Sequence, residues 1–203
     1  MWEPDYATVE ELREYAGITD EDDTVDDAGL ARNITAASRA IDDHCGPQRQ
    51  FGQVETAQER FYTVRDYHYG IVASGGSSLV IVDDLMTLDD LVITVAGEAV
   101  TPTLWRPANA PVKGKPWTRV YLPGRLSMDG DAVSITAKWG WDAVPVAIKE
   151  ACLLQALRLS KRKSSPFGVA GSPDMGSELR LLAKVDPDVA VMVHKYIRNG
   201  TVA

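Results

Sequence analysis

"CLLQALRLSKRKSSPFGVAG", residues 152–171, decides how this chain is read. Its first eight residues, Cys152–Leu159, are almost wholly apolar and lead into Lys161-Arg162-Lys163. A Ser-Ser-Pro-Phe-Gly segment follows, with Phe167 as its one large apolar side chain. Pro145 has the fixed φ of a first helical turn, so the spacing predicts a helix from there to about Lys163. At 100° per residue, Val146, Ile148, Cys152, Leu153, Leu154, Leu157 and Leu159 fall nearly all round the wheel, the pattern of a central helix. Residues 164–178 read as a Gly/Pro/Ser loop, with a short helix expected at 177–184.

Outward from this stretch, helices are expected at both ends. Thr8-Val9-Glu10-Glu11 has capping-box spacing, and Gly17 suits the left-handed turn that ends the first helix. Residues 20–27 read as an acidic loop. Leu30, Ile34, Ala37, Ile41 and Cys45 then keep to one face of a helix over roughly 26–45, which Gly46-Pro47 stops. At the far end Asp186 is the expected cap and Pro187 the first position of a helix. That helix is expected to carry Lys195 and Arg198 in its last turn and to end at Asn199-Gly200. Between about 58 and 140 the period becomes two, with "RFYTV", "LVIV", "LVITV", "TLW", "RVYL" and "VSITAKW" as short strands. Val95-Ala96-Gly97-Glu98 and Met128-Asp129-Gly130-Asp131 are turn candidates, and Ser74-Gly75-Gly76-Ser77-Ser78 reads as a loop.

The expected fold class is therefore α+β. A helical bundle of two N-terminal helices, a long central helix and a C-terminal helix would carry an inserted antiparallel β subdomain of about six strands. The corresponding division is 1–54, 55–142 and 143–203.

Composition narrows the function classes. No apolar run approaches the ~20 residues that cross a bilayer, so no membrane partner is expected. The N-terminus lacks a secretory pattern, and Cys45 and Cys152 suggest no disulfide framework. Synthesis in a cytoplasm fits these features. The net charge of −8 is unevenly spread. Residues 1–44 hold 13 acidic and 3 basic side chains, whereas residues 145–203 hold 5 acidic and 9 basic. An acidic front and a basic rear either neutralise each other within one molecule or face each other between copies, and repeated heterologous contacts close into a ring.

No catalytic constellation is found. His44, His68, His194, Cys45 and Cys152 lack zinc-knuckle spacing. A calcium loop begun at Asp20 would need glycine at Val25 and glutamate at Ala31. Residues 74–78 have no lysine and precede a strand, unlike a phosphate loop, and no Gly-x-Ser-x-Gly occurs. Asp83-Asp84 and Asp89-Asp90, the one carboxylate cluster a hydrolase could use, read as tight turns. Neither enzymatic activity nor a cofactor or metal is expected. Lys161-Arg162-Lys163 is a short basic cluster in an acidic chain. It reads as cations favoured at a helix C-terminus, with a small DNA-binding or packaging-accessory module as the alternative function.

Four stretches together resemble one family. They are "YATVEELREYAGI" (6–18), "ITAASRAIDDHCG" (34–46), "WGWDAVPVAIKEACLLQALRLSKRKSSPFGVAG" (139–171) and "VDPDVAVMVHKYIR" (185–198). They are similar to the head-to-tail connector proteins (adaptors, or head-completion proteins) of long-tailed double-stranded DNA bacteriophages. The resemblance covers about half the chain, and the β region matches only in position. It departs at Cys45–Phe51, where the family usually has an arginine nearer to the glycine.

The resemblance implies a non-enzymatic virion protein of the neck, between capsid and tail, made in the bacterial cytoplasm. About twelve copies would form a ring beneath the portal protein and offer a platform to a tail-side neck or stopper protein. DNA would pass through the channel without sequence-specific binding, helped by the abundant acid. Lys161, Arg162, Lys163, Pro166, Phe167, Gly168, Tyr196 and Arg198 become candidates for the portal or subunit interface. Phe167 and Tyr196 would be its anchors. Phe167 could equally fold back on its own core. Ile148, Cys152, Leu154 and Leu159 would pack helix to helix between neighbours.

Overall fold

Helices begin and end where the sequence offers caps. The computed structural model describes residues 3–19, 26–62, 77–101, 103–105, 114–123, 133–163, 169–170, 179–180 and 185–198. In α1 (Val9–Ala16) the reciprocal Thr8–Glu11 capping box forms, and Gly17 takes the left-handed conformation at φ 68°. Two backbone N–H groups that a helix start leaves unpaired are thus satisfied locally. Helix α2 (Asp27–Cys45) buries Leu30, Ile34, Ala37, Ile41 and Cys45, the face that the spacing selects, and ends at Gly46. Helix α3 spans Val146–Lys163. Helix α4 (Pro187–Val193) is capped by Asp186, whose carboxylate accepts from the Asp188 N–H at 2.7 Å.

Among the described residues nine strands lie between and beyond these helices: β1 (Gln58–Tyr62), β2 (Ser77–Leu85), β3 (Val92–Val95), β4 (Glu98–Val100), β5 (Thr103–Trp105), β6 (Trp117–Pro123), β7 (Val133–Ala137), β8 (Val169–Ala170) and β9 (Leu179–Arg180). These strands pair antiparallel. One sheet has the order β1-β7-β3-β4, a second β2-β6-β5, and β8 pairs with β9. Strands β3 and β4 form a hairpin across Ala96 (φ 51°) and Gly97 (φ 85°). Two positive φ angles in a two-residue loop match the right-handed twist of the strands they join.

The chain divides into two units. The first comprises Pro47–Val144 with residues of both chain ends, and the second Asp5–Gly46 with Pro145–Arg198. In the first unit one apolar cluster draws on both larger sheets, with Val80, Val82, Ile93, Trp117, Val120, Leu122, Ile135 and Trp139 in it. In the second, α3 packs against α1, α2 and α4. Its buried residues are Ile148, Ala151, Cys152, Leu153, Gln155 and Ala156. Each fully buried Ile or Leu side chain contributes about 1.5–3 kcal/mol relative to exposure.

This architecture corrects the expected fold class. The protein is a small α+β chain of four α-helices and two larger antiparallel sheets among the described residues, with no bundle around a long central helix. Helix α3 has 18 residues against 19 in α2, and α4 has only 7, under two turns. The buried residues of α3 take up about 200° of its wheel, from Ala151 round to Leu153, while Val146 is 77% exposed and Leu154, Leu157 and Leu159 are half-buried. Three smaller expectations also change. Among the described residues the strands of 58–137 number seven rather than about six, the added one being β4 after the Ala96-Gly97 turn, and they split between two sheets. Residues 179–180, expected to be helical, pair as β9 with β8 inside the expected loop. The last helix stops at Val193 and continues as a 3₁₀ turn over His194–Tyr196 instead of reaching Asn199. The turn candidate at 128–131 and residues 74–76 lie outside the described residues.

Candidate interaction site

The basic end of α3 holds the residues singled out in the sequence. Lys161 is exposed, with no charged partner among the described residues, and Arg162 is half-buried. Lys163 is the last helical residue. Leu159 and Arg162 line an open groove of 560 Å³, together with Ala36, Ala40, Asp43 and His44 of α2, Gln155 of α3, and Val185. The small side chains of Ala36 and Ala40, one turn apart, leave that space. Pro166, Phe167 and Gly168 lie outside the described residues. Tyr196 is half-buried in the 3₁₀ turn, with Lys195 Nζ 4.9 Å from its ring centroid. The backbone N–H of Arg198 donates to the Cys45 carbonyl at 2.6 Å and ties this turn to the end of α2. A Cβ on Gly46 (φ 105°) would meet the Arg198 carbonyl at 2.9 Å, so only glycine fits that crossing.

Of the four residues expected on a packing face of α3, Ile148 and Cys152 are fully buried inside their own unit. Only Leu154 and Leu159 keep surface. Cys152 Sγ lies 3.4 Å from Ser38 Oγ. Burial pushes its thiol up to about 11, against a lowering by the Ser38 hydrogen bond.

At the opposite end of α3 is a second concavity, of 320 Å³, lined by Glu11, Glu14 and Tyr15 of α1 and Lys149, Glu150 and Leu153 of α3. Lys149 Nζ donates to Glu11 Oε1 at 2.7 Å. That hydrogen bond, followed by the one from the Thr8 N–H, holds the Glu11 carboxyl below the usual range. This pair joins the acidic front to the basic rear within one molecule, as one of the two charge readings requires. Glu14 and Glu150 are exposed beside it.

A buried polar cluster in the first unit was not legible as such in the sequence. Asp83 and Asp84, expected in a turn, both sit in β2. Alternation along "LVIVDDL" places Asp84 on the buried side with Val80 and Val82, and that period was the signal available. Asp84 is fully buried and accepts from Arg49 Nη1 at 2.9 and 3.1 Å, from Trp141 Nε1 at 2.9 Å and from the Gln50 N–H at 3.4 Å. Asp83 accepts from Arg60 Nη1 at 2.7 Å and from the Tyr62 hydroxyl at 2.9 Å. Burial, with the Asp83 charge second, raises the Tyr62 hydroxyl far above its ordinary value. Gln50 links the two carboxylates, accepting from Arg60 Nη2 at 2.7 Å and donating to the Gly52 and Trp139 carbonyls. Asp84 accepts on both oxygens and Asp83 on Oδ2, so the cluster acts as a clasp between the segment after Gly46, β1, β2 and the Trp139–Trp141 segment. Asp89 and Asp90 do lie in a turn, closed by the Leu91 N–H to the Leu88 carbonyl at 3.2 Å.

No protein-family model matches this chain, and no curated protein does either.

Proposed function

We propose that this chain is a structural component of the neck of a long-tailed double-stranded DNA bacteriophage, without enzymatic activity. In this reading about a dozen copies form a ring beneath the portal protein, extend the DNA channel and present a platform to a tail-side neck or stopper protein. The protein is made in the host cytoplasm and resides in the virion neck, and DNA passes it without sequence-specific binding.

The four sequence stretches that resemble head-to-tail connectors support the reading. The observation that carries it is the basic end of α3. There Leu159 and Arg162 border an open groove beside exposed Lys161, just before the Ser-Ser-Pro-Phe-Gly segment. Aromatic side chains and arginine are the residues that most often anchor a protein-docking surface. Phe167 and Tyr196 are its proposed anchors, and Lys161, Arg162, Lys163, Pro166, Gly168 and Arg198 its surround.

The test is co-sedimentation of the full chain with DNA-filled, portal-bearing capsids, followed by reconstruction of the neck. The native chain is expected to bind as a ring, and Phe167→Asp to abolish binding while its circular dichroism is unchanged. A native chain that leaves the portal bare would overturn the proposal, whereas unchanged binding by the variant would remove Phe167 from the site. A steep, salt-dependent gel shift with duplex DNA would favour the basic-cluster module instead.

A further inference from the structure

Helix α3 carries a second stripe, distinct from its buried one. At 3.6 residues per turn, Val146, Glu150, Leu154, Leu157 and Lys161 fall within about 80° of one another, at successive spacings of 4, 4, 3 and 4. Ile148, Cys152 and Gln155, which are buried, lie on the other side. Val146, Glu150 and Lys161 are exposed, and Leu154 and Leu157 half-buried. This is the spacing of a helix–helix seam, and Val146, Glu150 and Lys161 at its ends are exposed.

The stripe reads alike in both directions. Reversing the helix about the midpoint between Gln155 and Ala156 exchanges Glu150 with Lys161 and Leu154 with Leu157. Within one molecule the two charges cannot meet. They stand 11 residues apart on one rigid helix, about 16 Å along the axis. Neither has a charged partner among the described residues: Lys149, beside Glu150, is taken by Glu11, and Arg158 pairs with Asp186. Placed antiparallel against a second α3, however, each glutamate meets a lysine and the four leucines meet in the middle. Opposed helix dipoles favour the same arrangement.

We propose that this chain self-associates as a two-fold dimer through antiparallel α3 helices, with reciprocal Glu150–Lys161 pairs flanking a Leu154–Leu157 centre. A two-fold contact uses the same patch on both partners, so it closes at two copies and builds no ring by itself. The inference therefore does not rest on the neck reading. It concerns a separate state of the chain, since a dimer formed this way occupies Leu154 and excludes a ring contact there. One helix pair covers less than the ~1,000 Å² of a stable interface, so the dimer is a weak, concentration-dependent one.

Sedimentation equilibrium of the full chain up to about 200 µM, without portal or DNA, tests it. At low salt the expected result is a monomer–dimer equilibrium, weakened several-fold in 0.5 M NaCl as the screening length shortens. Glu150→Lys and Lys161→Glu should each weaken association at least ten-fold, because each sets like charges against each other twice. Mixing the two single variants should restore a heterodimer that grows no further with concentration. Circular dichroism checks that both variants fold. A chain monomeric throughout the range, single variants that associate like the native protein, or a mixture that fails to recover would each overturn the proposal. Failure here would leave portal docking untouched, because the two experiments read different contacts.

Discussion

Removing the carboxylate of Asp84 should destabilise the first unit far more than the truncation of one strand side chain suggests. The side chain is fully buried, and its partner Arg49 is only 11% exposed. Replacing Asp84 by Ala takes the buried carboxylate away from Arg49, where water reaches poorly, and removes the 2.9 Å acceptor of the Trp141 indole N–H. Breaking one side of a buried ion pair costs about 3–5 kcal/mol, and an orphaned N–H about 1–3 kcal/mol, partly overlapping, so about 4 kcal/mol is expected for Asp84→Ala. With a urea slope of about 2 kcal/mol/M, the midpoint should fall by about 2 M. Tryptophan fluorescence is a suitable readout because Trp105, Trp117, Trp139 and Trp141 all belong to this unit. The double variant Arg49→Met, Asp84→Leu removes both charges and should recover the ion-pair part of the loss, since an apolar pair carries no charge-desolvation penalty, while the hydrogen bonds from Trp141 Nε1 and the Gln50 N–H stay lost. A loss below about 1 kcal/mol for Asp84→Ala, or a double variant as unstable as the single one, would refute the clasp.

Two other outcomes follow from local geometry. Gly140 has φ 104°, and a Cβ there would lie 2.0 Å from the Gly52 carbonyl oxygen. Because backbone must move, Gly140→Ala should destabilise by at least about 3 kcal/mol, visible as a drop in melting temperature; an unchanged melt would contradict the packing of these two glycines. Cys152, with its thiol pushed up to about 11, should resist alkylation at pH 8 in the folded state and react once unfolded. Its folded value lies above the ordinary 9.0, so its contribution is intact below pH 9 and lost as the pH rises towards 11, by up to about 3 kcal/mol. Replacing Cys152 by Ala should flatten that part of the stability–pH curve, and a curve unaltered by the replacement would exclude the thiol as its source.

How far the sequence could be read follows from the range of the interactions involved. A cap or a tight turn is completed within three or four residues, so the Thr8–Glu11 box, the Gly17 stop, the Asp186-Pro187 start and the Val95–Glu98 turn stand where the chain announces them. The buried face of α2 was legible for the same reason, since its apolar period repeats along one element. The proposed docking segment lay in plain view as residue types alone.

What the sequence could not give depended on partners far along the chain. Asp84 and Asp83 look like a turn until β2 continues through them, and a buried carboxylate is tolerable only because Arg49, 35 residues earlier, reaches it. The apolar surround of α3 suggested a long central helix because a wheel counts side chains without their neighbours. Tertiary packing covers Ile148 and Cys152 from within and leaves Val146 in water, which separates the helix's core face from its outer stripe. Local hydrogen bonds are written into neighbouring residues, whereas burial and charge pairing are settled only when distant segments meet.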